Sequence, residues 1–160
     1  MLVLGIDPGT LRTGYGLVEG DRDSVRPIGF GAIATSSKDQ FPFRLQKIYD
    51  AVRELIESHR PEWVAVETPF LAKNVQSALK LGQSKGVALL AAMHGGIPIA
   101  EYTPTQVKSA VTGYGSADKG QIQEMVKRTL GLTELPQPPD IADALAIALC
   151  HIYCHSGREW

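Results

Sequence analysis

An α/β fold on a mixed five-stranded sheet, antiparallel first and parallel later, is the architecture this chain predicts. Three strand-like runs joined by short polar connections open it, the pattern of an antiparallel meander. Strand–helix–strand units follow, and these favour parallel pairing with right-handed crossovers. A length of 160 residues fits one domain, 1–160, with a substantial core and a short tail from about residue 156. No internal repeat or linker-like composition marks a second domain.

The elements follow in order. Residues 2–7 form a continuously apolar strand that ends at Asp7. Asp7-Pro8-Gly9-Thr10 reads as a turn, with Pro fixing one dihedral angle and Gly allowing another. Strands over 15–19 and 28–34 flank the polar segment 20–24. From about Pro42 to His59 the period changes: Leu45, Ile48, Tyr49, Val52, Leu55 and Ile56 recur at helical spacing. Pro61 punctuates, a strand over 62–67 ends at Glu67, and a helix runs from about Asn74 to Met93. Gly95-Gly96 stops it before a strand over 97–102. Pro104 opens a short helix, Gly113 and Gly115 break it, and another starts near Ser116 or Ala117. After Pro136, Pro138 and Pro139 a last helix runs from Asp140 to about His155, giving the order βββαβαβααα.

Composition is that of an ordinary soluble protein, 44% apolar and 21% charged. No stretch approaches the ~20 apolar residues of a membrane span, and the N-terminus lacks the features of a signal peptide. Cys150 and Cys154 lie one helical turn apart, a poor geometry for a structural disulfide, so a reducing cytoplasm is the simplest setting. With His151 and His155 they invite a zinc reading. Four ligands on so few turns of one helix cannot close a tetrahedron, however, and helix packing is the better account. Net charge is −1, but residues 71–128 hold seven positive against three negative side chains, a local +4 that leaves −5 for the rest. A solvated helix face explains such an asymmetry as well as a polyanion partner does.

Four carboxylates carry more information than the charge balance. Asp7 and Glu67 end apolar strands, and Asp140 and Asp143 open an apolar helix three residues apart, on one face of it. Charged groups set against core segments are rare unless paired or bound to a cation. No Arg or Lys stands beside any of them in sequence as an obvious partner. Taken singly, Asp7 fits a turn cap and Asp140 a helix N-cap. Glu67 and Asp143 resist such readings, Asp143 above all, because Ile141-Ala142-Asp143-Ala144-Leu145 offers almost no solvated face. Two like charges ~4 Å apart repel by roughly 4 kcal/mol at an effective dielectric of 20. A divalent ion removes that repulsion, and one or two Mg²⁺ ions in a carboxylate site can activate water for phosphoryl displacement.

Lys119 follows Gly113-Tyr114-Gly115-Ser116, where the free N–H groups of a helix start favour an anion. A solvated surface lysine is the competing account for it and for Lys108. Phe70, beside Pro69 and Leu71, fits a core plug as well as an exposed ring. Gly82 and Gly86, one turn apart in a helix, each cost about 1 kcal/mol relative to Ala. A close helix contact would offset that cost, either within the domain or across a dimer interface.

Four segments resemble the RuvC family of bacterial Holliday-junction resolvases. They are the run from Asp7 through Gly16, Glu67-Thr68-Pro69-Phe70, the run from Lys73 through Gln83, and Asp140-Ile141-Ala142-Asp143-Ala144-Leu145-Ala146. The match covers essentially the whole chain in order. It implies an RNase H-like fold, a homodimer, and paired, Mg²⁺-dependent nicking of four-way DNA junctions that leaves 5′-phosphate and 3′-hydroxyl ends, with Mn²⁺ able to substitute. It assigns Asp7, Glu67, Asp140 and Asp143 to the metal, some members carrying His in place of Asp140, and Lys108 and Lys119 to the scissile phosphate. Phe70 is assigned to the junction centre, with Lys73, Asn74, Ser77, Lys80 and Lys85 as backbone contacts beyond it. The family also works with the RuvA–RuvB branch-migration complex, in the bacterial cytoplasm.

Three rivals fit less well. An ATP-binding protein of the actin, Hsp70 and sugar-kinase type needs two lobes and leaves Asp143 unexplained. A YqgF-like RNase H-fold nuclease acting on RNA shares the first turn and the late aspartate but lacks the match from Phe70 to Gln83. A non-catalytic junction binder gains nothing from four negative charges facing phosphate.

Overall fold

The structure is a computed structural model and describes residues 1–68 and 73–156. Strands β1 (Leu2–Asp7), β2 (Arg12–Gly20) and β3 (Val25–Ala34) form the antiparallel meander. Helix α1 (Phe41–His59), strand β4 (Trp63–Glu67), helix α2 (Val75–His94) and strand β5 (Ile99–Tyr102) complete the sheet. Its order is β3-β2-β1-β4-β5, with β1, β4 and β5 parallel, as an RNase H-like fold requires. Helices α3 (Pro104–Thr112), α4 (Lys119–Thr129) and α5 (Pro139–His155) follow. Among the described residues no helix is long and apolar enough to cross a membrane.

Several boundaries differ from those the sequence predicts. β2 begins at Arg12 rather than Tyr15, because pairing with both β1 and β3 holds Thr13 and Gly14 extended where their own propensities would not. β3 begins at Val25 rather than Ile28. It has one neighbour only, so Pro27 costs the sheet no essential hydrogen bond. β5 starts at Ile99, two residues late. α4 starts at Lys119, capped by Asp118, whose carboxylate accepts from the Gln121 amide at 2.8 Å in a reciprocal capping box. Ser156 closes α5 as its C-cap, and the rest of the expected tail lies outside the described residues.

Two apolar layers cover the sheet. On one face α1 and α2 pack Ile48, Val52, Ile56, Ala88 and Ala92 against Leu4, Ile6, Leu17 and Val66. On the other face lies α5, against which α3 and α4 pack. From Ile141 to Ile152 every residue of α5 is buried except Asp143. That helix sits directly on glycine backbone. A Cβ at Gly5 would stand 2.1 Å from the Ala144 carbonyl oxygen, and one at Gly14 2.1 Å from that of Asp140. Glycine is therefore a packing requirement at both positions.

Among the described residues nothing lies within 4 Å of a Cβ at Gly82 or Gly86, and both are exposed, so the described residues do not supply the intradomain version of their expected close contact. His151 packs as helix packing predicts. It is buried between Trp63 (ring centroids 4.7 Å apart) and His155, and its Nδ1 meets the Tyr102 hydroxyl at 2.8 Å. Burial, and then His155, lower its pKa to about 4. Cys150 is buried and Cys154 exposed, both as free thiols.

Candidate active site

The three elements that carry the carboxylates meet at one end of the sheet. β1 and β4 are adjacent and parallel with Ile6 beside Val66, so Asp7 and Glu67 leave the sheet side by side. Across the other edge of β1, Asp7 is paired with Gly14. Because Gly14 has no side chain, the first turn of α5 rests on β2 there, which brings Asp140 and then Asp143 to the same end. The turn after Asp7 is held by Thr13, a fully buried residue whose hydroxyl donates to the Gly9 carbonyl at 3.2 Å.

These groups are close enough to shift one another's charge. Burial raises the Asp7 pKa to about 8, reinforced by Asp143, Asp140 and Glu67 and opposed by Lys119. Burial also raises Glu67, with Asp143 adding to the rise and Lys108 and Lys119 opposing it. For Asp143 burial outweighs the lowering by Lys119 and by a hydrogen bond with Asp7. These are the marks of negative charge crowded into a poorly solvated place.

No Arg or Lys adjoins these carboxylates in sequence, but the fold brings cationic neighbours to two of them from distant parts of the chain. Lys119 Nζ lies 3.3 Å from Asp143 Oδ2, and Arg12 Nε lies 3.9 Å from Asp140 Oδ2. Asp140 is also not a helix cap. Pro138 occupies the N-cap position and makes no side-chain cap bond, while Asp140 sits in the first turn. The N-cap reading of Asp140 thereby disappears, and what remains for it structurally is the favourable place of a carboxylate in a first helical turn.

A cleft of about 260 Å³ opens beside the carboxylates, lined by Glu67, Asp143, Lys108, Lys119 and the apolar walls Val107 and Ile122. α3 supplies Lys108 and α4 supplies Lys119 at its first turn. The donor set is all carboxylate oxygen, which suits a hard divalent ion of the Mg²⁺ type. Among the described residues no three acidic, His or Cys side chains are drawn together into a finished metal cage. The group is loose, close enough for its charges to shift one another and still partly balanced by Lys119.

The expected DNA contacts divide. Lys73, Asn74, Ser77 and Lys80 stand exposed at the start of α2. There Asn74 caps the helix, its Oδ1 accepting from the Ser77 amide at 3.2 Å. Lys85 is instead committed to Glu101, with Nζ 2.5 Å from its carboxylate and only 12% of the side chain exposed. Phe70 lies outside the described residues. Gly14 and Arg12 escape a reading of the sequence, although the Gly14-Tyr15-Gly16 alternation within a strand is the kind of signal that marks close backbone approach.

Comparison with known proteins finds relatives over nearly the whole chain. The family model for crossover junction endodeoxyribonuclease RuvC matches residues 3–151. The enzyme of that name from Chloroflexus aurantiacus is 53% identical over 153 residues, covering 96% of this chain and 93% of the relative. That from Moorella thermoacetica is 53% identical over 151 residues, covering 94% and 90%. Among solved structures, Thermus thermophilus RuvC in complex with a Holliday junction substrate superposes with a TM-score of 0.93 at 39% identity, covering 98% of this chain and 95% of that one. A yeast mitochondrial Holliday junction resolvase shares the fold at 14% identity, with a TM-score of 0.64.

Proposed function

This chain belongs to the RuvC family of crossover junction endodeoxyribonucleases, and we propose that it resolves Holliday junctions by hydrolysis at the carboxylate cluster with Mg²⁺ as its ion. The observation that carries this reading is the convergence of Asp7, Glu67 and Asp143 with Lys108 and Lys119 around one cleft. Asp7, Glu67, Asp140 and Asp143 would hold the ion or ions. A bound divalent ion would acidify a coordinated water and offset charge on the leaving 3′ oxygen.

The remaining work falls to the chain's own residues. Asp7 and Glu67, fixed at neighbouring strand ends, define one side of the site, and Asp143 projects from the buried helix on the other. Lys119 is salt-bridged to Asp143 now. Once that carboxylate is engaged elsewhere, its ammonium is free to neutralise a phosphate oxygen of the cut strand. Lys108 faces the same cleft and can take a second oxygen. Val107 and Ile122 limit the water that screens these charges. The carboxylates must ionise to bind metal, so ion binding displaces the proton that Asp7 otherwise keeps up to about pH 8.

One nuclease domain of this size cuts one strand, and paired cuts call for two copies about a two-fold axis. A surface suited to self-association is present on α2. Val75, Leu79, Leu90 and Met93 are exposed by 73, 65, 49 and 63%. They fall with Gly82 and Gly86 on a single helical stripe, opposite the face that packs on α1. A homodimer through this stripe would set two sites on one four-way junction. Lys73, Asn74, Ser77 and Phe70, near the start of α2, are the candidate contacts to the junction arms and centre. Work alongside the RuvA–RuvB complex and a cytoplasmic setting follow from the same family reading.

The test is nicking of a synthetic four-way junction, a plain duplex and an RNA hybrid, with and without Mg²⁺. Paired cuts confined to the junction and dependent on Mg²⁺ are expected. Asp7→Asn abolishes them while junction binding changes little, and cleavage retained by that variant would sink the metal assignment.

A further inference from the structure

The geometry points to a second phosphate seat on the α1 side of the active site: we propose that Arg44 and Lys80, held over the ring of Phe41, clamp a DNA phosphodiester flanking the one that is cut. This rests on the junction-cutting reading above.

Arg44 lies in the first turns of α1, and its guanidinium is anchored to the catalytic turn. Nε donates to the Thr10 carbonyl at 3.2 Å, Nη2 donates to the same oxygen, and the Thr35 hydroxyl donates to it at 2.8 Å. Thr10 is three residues from Asp7, so this cation is tied to the segment that carries the central carboxylate. The Arg44 guanidinium carbon lies 5.2 Å from the centroid of the Phe41 ring, and Lys80 Nζ, from α2, lies 5.7 Å from the same centroid.

Two cations from two helices thus share one aromatic ring. Elsewhere in the described structure other cations such as Lys47 and Lys73 stand singly, while Arg12, Arg26, Arg53, Lys85, Lys119 and Arg128 each face a carboxylate. Among the described residues neither Arg44 nor Lys80 does, and Asp39, the acidic residue nearest to Phe41 in sequence, makes no ion pair with either. The first turn of α1 holds no acidic residue, and its N-cap residue makes no side-chain cap bond, so the positive end of a 19-residue helix adds to the field. An aromatic face stabilises a cation only modestly and does nothing for the repulsion between two of them. A phosphate that meets both cations at the rim of the ring would offset their charges. Arg44 spends one edge of its fork on Thr10 and keeps Nη1 for a phosphate oxygen, with Lys80 as a point charge opposite. The ligand class is a nucleic-acid backbone, read without regard to base.

Binding of the full-length protein to a synthetic four-way junction, measured without Mg²⁺ across 50–200 mM salt, tests this. A lost phosphate contact reduces the slope of log affinity against log salt by about 0.9. Arg44→Ala and Lys80→Ala should each lower the slope by part of this. The double variant, which loses the one clamped phosphate, should lose about 0.9, so that the affinity drop over this salt range shrinks by about 3.5-fold. Phe41→Leu should weaken binding with the slope unchanged. Lys80 is exposed on its helix, so its variant folds normally; Arg44→Lys keeps the charge and controls for loss of the Thr10 anchor. A double variant that keeps the wild-type slope overturns the clamp. A wild-type protein that neither binds nor cuts the junction would instead overturn the functional reading itself, so the two failures are distinct.

Discussion

Asp7 is expensive in the absence of a cation, and pH exposes the cost. Its folded pKa of about 8 stands far above the ordinary 3.8, burial being the main cause. In the metal-free protein between about pH 4 and 8 the unfolded state has released this proton while the folded state still holds it, so stability falls as pH rises towards 8 and levels off above it. Glu67 and Asp143 are raised as well and act in the same direction. His151 opposes them at lower pH: with a folded pKa of about 4 against 6.5, it makes stability fall as pH drops below 6.5. The window from pH 7 to 8 therefore isolates the carboxylates, since towards pH 9 the buried Cys150 thiol, whose pKa burial raises, adds a fall of its own. There the melting temperature of the metal-free protein should decline, at up to ~1.4 kcal/mol per pH unit for one proton. Asp7→Asn should melt higher and with a flatter profile, and millimolar Mg²⁺ should flatten the wild type. An Asp7→Asn protein that melts lower at pH 8 would make Asp7 a structural cap after all.

At the scale of elements the site depends on how closely α5 lies on β1 and β2. Gly14→Ala would place a methyl carbon 2.1 Å from the Asp140 carbonyl oxygen, in backbone that cannot yield cheaply. Overpacking of this kind costs about 1–3 kcal/mol, or a fall of roughly 2–12 °C in melting temperature for a chain of this size. It should also shift Asp140 and Asp143 away from Asp7 and depress nicking more than junction binding. Gly29→Ala in β3, where the nearest atom is Leu17 Cδ1 at 4.0 Å, is the control and should be neutral. Equal melting of the two variants would show that the α5 contact is soft. The periodicity of α1, the apolar length of α5 and the apolar runs of β1 and β4 were readable in sequence because each buries a face or a whole element. The first residues of β2 were not, since Thr13 and Gly14 become a strand only through pairing on both sides. The same limit applies to the site. Asp143 stood out against an apolar helix, but Lys119 became its partner only when α4 folded across from α5. Arg12 reached Asp140 only because Gly14 let the helix down onto the sheet.

At the scale of the whole molecule the unanswered cost is on α2. Two glycines in the middle of a 20-residue helix sacrifice about 2 kcal/mol of helix propensity, and among the described residues no neighbour lies within 4 Å of a Cβ at either. Four large apolar side chains on the same stripe stand in water, while the opposite side of α2 already buries Ser84, Ala88, Ala91 and Ala92. Glycines set among apolar side chains make a groove into which a second helix can settle, and a two-fold axis through it matches the stripe with itself. Leu79→Glu puts a charge at 65% exposure in the isolated chain, so the subunit should fold and melt as before wherever the stripe is free. Across a two-fold interface the same change buries two like charges near each other, at several kcal/mol. Sedimentation should therefore find Leu79→Glu monomeric at concentrations where the wild type is dimeric, and cuts on the four-way junction should lose their pairing. A Leu79→Glu protein that sediments as a dimer with both strands still cut would move the interface off α2.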